Sequence, residues 1–76
     1  MFTIIATNFS NNLPWIFKLT DISKNEYYIM NADFYTKNGM NSPITKNMLD
    51  SFDIGYTIRG EVERISGFIV LTEIKK

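Results

Sequence analysis

Neither cysteine nor histidine occurs in the 76-residue chain. The first absence rules out a disulfide framework and a thiolate metal site, and the second removes the commonest general base and the commonest zinc ligand. An excess of charge of one sign is missing too. Eight basic residues balance eight acidic ones, for a formal net charge of zero, whereas proteins that grip nucleic acid by its phosphates usually carry a basic surplus. No apolar run approaches the ~20 residues needed to cross a bilayer, and no charged segment precedes a short apolar one as in a secretory leader. The expectation is a cytoplasmic protein without a cofactor, not an enzyme.

Aromatic residues are plentiful instead: six Phe, four Tyr and one Trp. A chain of this length makes one domain, residues 1–76, that buries roughly 60% of its unfolded surface, and a closed β-barrel is one way to bury the rings without disulfides. No internal repeat, low-complexity tract or charge run divides it.

The clearest local signals lie between Ser42 and Ile74. Serine at N-cap and Pro43 at N1 open a helix to about Phe52, and Ile44, Met48, Leu49 and Phe52 recur on one stripe that must face a core. Gly55 breaks it. Tyr56, Ile58, Gly60 and Val62 then alternate with Thr57, Arg59, Glu61 and Glu63, the period of a half-buried strand. Ser66-Gly67 supplies a two-residue turn into Phe68–Leu71, an apolar run expected of a strand covered on both faces.

The first half reads as strands alone. Phe2–Phe9 is the first, Ser10–Pro14 a loop, Trp15–Ile22 the second strand, Ser23–Glu26 a four-residue loop and Tyr27–Thr36 the third strand. Parity then puts Trp15, Phe17 and Leu19 on the inner face with Tyr28, Met30, Ala32 and Phe34, pairing Leu19 with Met30. The outer face carries Ile16, Lys18, Thr20 and Ile22 beside Tyr27, Ile29, Asn31, Asp33 and Tyr35. A loop one residue different would exchange the faces of one strand.

Three strands, one helix and a closing hairpin resemble the OB-fold, an all-β five-stranded barrel that binds oligonucleotides, oligosaccharides or proteins. Gly55-Tyr56-Thr57-Ile58-Arg59-Gly60-Glu61-Val62 is similar to the glycine-punctuated fourth strand of OB domains. The chain as a whole resembles small single-stranded DNA-binding and primosomal OB proteins. An SH3-like barrel is the alternative, but it lacks a full helix before the last hairpin. The abundance of Asn, Ile and Lys resembles proteins of AT-rich genomes, including phages and mobile elements.

The resemblance implies a ligand platform on the outer face of strands two and three. There Tyr27, Ile29 and Tyr35 would meet bases, and Lys18, Lys24, Lys37, Arg59 and Arg64 would meet phosphates of single-stranded DNA or RNA. Tyr27 and Tyr35 lie eight residues apart, roughly 26 Å along an extended strand, so they cannot clamp one base. Covering the barrel is the plainer role for both, as an ion pair with a neighbouring glutamate is for Arg59.

The competing reading is a protein-binding module, a structural subunit or a phage-type inhibitor of a host factor, using an apolar patch of Ile16, Ile22, Tyr27 and Ile29. Asp50 with Asp53, and Glu61 with Glu63, are the nearest approach to paired carboxylates. Neither pair has a sequence context that would separate their pKa values for acid and base work or supply the 6 to 8 oxygens calcium takes. If Lys18, Lys24, Lys37 and one arginine converged on a single strand, four phosphate contacts would give a log–log salt slope of about −3.

Overall fold

Alternating apolar residues build five strands, and in the computed structural model, which describes residues 1–10 and 12–75, these close in a ring. In chain order they are β1 (Phe2–Thr7), β2 (Trp15–Thr20), β3 (Glu26–Met30), β4 (Thr57–Ile65) and β5 (Phe68–Lys75). Lateral order is β1-β2-β3-β5-β4, with β4 returning to β1 through Phe2 opposite Ile58 and Thr3 opposite Thr57. Only the β3–β5 seam is parallel, with Tyr28 beside Val70. Residue 11, inside the expected Ser10–Pro14 loop, lies outside the described residues.

The closing hairpin is as the sequence predicts. Ser66 and Gly67 both take positive φ, 51° and 85°, the conformation of a type I′ turn whose twist matches that of the flanking strands. Gly60 has a different reason to be glycine: a β-carbon there would collide with the backbone carbonyl oxygen of Glu73 on β5.

Between β3 and β4 lie two short helices, not the single one expected. Helix α1 (Ala32–Lys37) occupies the second half of the predicted third strand. Its ends explain why. The Asn31 side chain accepts a hydrogen bond from the Phe34 amide at 3.0 Å, an N-cap that ends β3 at Met30. At the other end Gly39 has φ 72°, its amide donates to Thr36 O, and the Met40 amide donates to Tyr35 O. This is a Schellman motif, and Met40 packs on the cluster that buries Tyr35, the apolar contact that often accompanies it.

Helix α2 (Lys46–Ser51) starts three residues later than predicted. Thr45, not Ser42, is its N-cap, accepting from the Met48 amide at 3.2 Å. The Ser42 hydroxyl is engaged two residues on, accepting from the Ile44 amide. The predicted stripe survives this change, since Ile44, Met48, Leu49 and Phe52 all pack on the core inside the ring.

The apolar residues form two clusters. Ile4, Phe17, Leu19, Ile29, Phe52, Ile58 and Leu71 fill the ring. Met30, Tyr35 and Val70 form the second, between the outside of the sheet and α1, with Trp15, Tyr28, Phe34 and Phe68 packed against it. Tyr35 is fully buried there. Its hydroxyl donates to Leu71 O at 2.6 Å and accepts from the Met30 amide at 3.3 Å, so one side chain on α1 ties β3 to β5 beside their single register pair.

Tyr35→Phe removes both bonds while keeping the ring, and unfolding should show a loss of about 1–3 kcal/mol. Burial pushes the Tyr35 hydroxyl up to about 12 from 10.0, against a smaller opposite pull from the Met30 amide. The folded chain therefore keeps a proton that the unfolded chain releases. Its contribution is intact below pH ~10 and is lost as pH rises through ~12. Melting curves across that interval should fall more steeply for the native protein than for Tyr35→Phe; parallel curves would contradict the assignment. Gly60→Ala should cost about 1–3 kcal/mol through forced separation of β4 from β5, read as a lower denaturant midpoint.

Candidate nucleic-acid interface

A β-bulge decides where the single tryptophan points. Strict alternation from Phe17 would put Trp15 inside the ring, but the β2–β3 register shifts between Trp15 and Phe17. The extra residue re-aims the side chain. Trp15 consequently leaves the inner core, where it was expected, and joins the outer cluster.

The register of β3 is the second correction. Leu19 lies opposite Tyr27, three positions before the expected Met30, and an odd displacement exchanges the faces of a strand. Its cause is the loop after β2. Asp21 Oδ1 accepts from the Ser23 and Asn25 amides, both at 2.9 Å, and Oδ2 accepts from the Tyr27 hydroxyl at 2.7 Å. Lys24 adopts φ 63°. These bonds hold residues 21–25 as a five-residue loop instead of four. The Tyr27 hydroxyl bond, followed by the amides, holds the Asp21 carboxyl below its usual range, and the same bond raises Tyr27.

Tyr27 and Ile29 therefore turn inward and Tyr28 turns outward. Tyr27 packs edge-on against Phe2, ring centroids 4.8 Å apart, and Ile29 is fully buried in the ring. Tyr35, expected beside them on the outer face, is the buried tie on α1. Ile16 packs half-buried against the inner core, whereas Ile22 is fully exposed at the loop tip. The apolar patch expected of Ile16, Ile22, Tyr27 and Ile29 does not exist as one surface.

What forms outside is a row of lateral neighbours, Ala6, Lys18, Tyr28, Val70 and Glu63, crossing five strands. Lys18 lies over two rings, its Nζ 5.4 Å from the Trp15 centroid and 5.8 Å from that of Tyr28. Those rings are 5.8 Å apart and tilted by 49°. Phe68 supports Tyr28 edge-on at 5.5 Å, and Phe34 supports Phe68 at 6.1 Å. All four rings are half-buried. Two π-surfaces and a cation between them can receive planar groups and one anion.

The other predicted cations do not meet at Lys18 in one cluster. Lys24 sits in the β2–β3 loop, and Lys37 in the last turn of α1. Arg64 pairs with Ile69, so alternation points it away from the face of Ile65 and Phe68. Arg59 stands opposite Lys75, and the neighbouring glutamate Glu61 is bonded to Lys75 at 2.6 Å instead of to Arg59. That bond lowers Glu61 and raises Lys75. Among the described residues no group of three His, Cys, Asp or Glu side chains could hold a metal ion, and no helix is long and apolar enough to cross a membrane.

Sequence reasoning missed Trp15, Tyr28, Phe34 and Phe68 as members of this surface. The available signal was Asn31, Asp33 and Gly39, whose spacing marks a short helix and would have ended the third strand at Met30. No protein-family model, curated protein or solved structure matches the chain. Because Ile29 is wholly inside the ring, Ile29→Asp should unfold the domain by burying an unpaired carboxylate. Loss of dispersion in its amide NMR spectrum would show this, and a native-like spectrum would put Ile29 outside.

Proposed function

We propose that this chain is an OB-type barrel that binds single-stranded nucleic acid, without catalysis, on the outer face of β2 and β3. The carrying observation is Lys18 set over Trp15 and Tyr28. Strand order and the helices between β3 and β4 support the barrel reading, because that platform is where OB-folds take oligonucleotides. Each stacked base contributes ~1–3 kcal/mol, and the Lys18 ammonium donates to the phosphate beside it. With one cation among the rings, the salt slope is about −0.7 for the single contact instead of the −3 of four.

Trp15 is the only tryptophan, so its fluorescence reports on the face directly. Titration with oligothymidylate at low salt should quench it. Tyr28→Ala should weaken the binding by about tenfold, the loss of one stacked base. No quenching at low salt, with the fold intact, would overturn the reading. A protein ligand is the second reading, favoured by the zero net charge and by the wholly exposed Ile22. It covers the structural subunit or phage-type inhibitor, and a single stoichiometric partner lost on Ile22→Asp would establish it.

A further inference from the structure

A cleft of about 280 Å³ lies where α2 meets β4 and the end of β5, and it shares no residue with the Trp15–Lys18–Tyr28 face. Met1, Met48, Phe52, Tyr56, Ile58 and Ile74 make its walls apolar. Phe52 and Tyr56 line it with rings 4.8 Å apart and tilted by 39°. The methionines are unbranched and polarizable, so they fit an irregular apolar guest. Among the described residues the lining holds no side-chain carboxylate and two side-chain cations, Arg59 and Lys75.

Those cations are not equivalent. Lys75 is neutralised by Glu61 at 2.6 Å. Arg59, exposed and directly opposite it, makes no ion pair among the described residues. A guanidinium presents a planar fork of donors that matches a carboxylate with two parallel bonds. The geometry points to a binding site for a small amphipathic monocarboxylate, with an aryl or short alkyl body in the cleft and its carboxylate on Arg59. The body must be small, since this volume is at the lower limit of ligand pockets. Among the described residues Arg59 is the side-chain cation of the lining without an ion pair, which matches a ligand with one carboxylate.

The test is an amide NMR titration of the full chain with 4-phenylbutyrate and, separately, with its neutral analogue 4-phenylbutyramide. Shifts should concentrate at residues 57–59 and 74–75, and the acid should bind about fivefold more tightly than the amide, as expected of an ion pair at a solvated rim. Arg59→Gln should remove that preference while leaving the spectrum dispersed, and Lys75→Gln should leave it in place. Equal affinity for acid and amide, a preference surviving Arg59→Gln, shifts confined to Trp15, Lys18 and Tyr28, or no binding of either compound would each overturn the assignment.

Discussion

The hydroxyl of Tyr35 is the contact on which the arrangement of this domain turns. Four of the five strand seams are antiparallel, while β3 and β5 run parallel and share one register pair. A short parallel seam is the weak point of a ring. Tyr35 reaches it from α1, donating to Leu71 O on one side and accepting from the Met30 amide on the other. The bonds are made in a buried site, where a polar group without a partner is costly, so the Tyr35 hydroxyl fastens α1 to both strands of the seam.

The outer surface follows from that placement. With α1 docked, Val70 and Met30 are covered, and Phe34 and Phe68 form an aromatic layer beneath Tyr28. Tyr28 is thereby backed by Phe68, with the Trp15 ring beside it at 5.8 Å. Lys18, paired laterally with Tyr28, has its ammonium over both rings. A surface with rigid rings and a single held cation suits a ligand that stacks. It is poorly suited to one gripped mainly by charge, in keeping with a chain whose charges sum to zero.

The Asp21 loop has a comparable role at the opposite end of the same hairpin. One carboxylate accepts from two backbone amides, the Asn25 side chain and the Tyr27 hydroxyl. This locks the loop length, and the loop length sets which residues of β3 face the rings of the core. Ile22, at its tip, is left fully in solvent.

Much of the fold was legible in local chemistry. Ser66-Gly67 could be read as a hairpin turn, Tyr56–Val62 as an alternating strand, and Ile44, Met48, Leu49 and Phe52 as one buried stripe, because each depends on residues within a turn or two of one another. The Asn31 cap and Gly39 stop were equally local, but the apolar run from Tyr27 to Tyr35 masked them as a longer strand. What only the tertiary structure decided was the facing of side chains: Trp15 outward through a bulge, Tyr28 outward and Ile29 inward through a register set by Asp21. Pairing partners lie far apart in the chain, and a strand's faces exchange on a displacement of one residue. Composition and periodicity therefore identified which aromatic and apolar residues the strands carry, and the register of β2 against β3 decided which of them face outward.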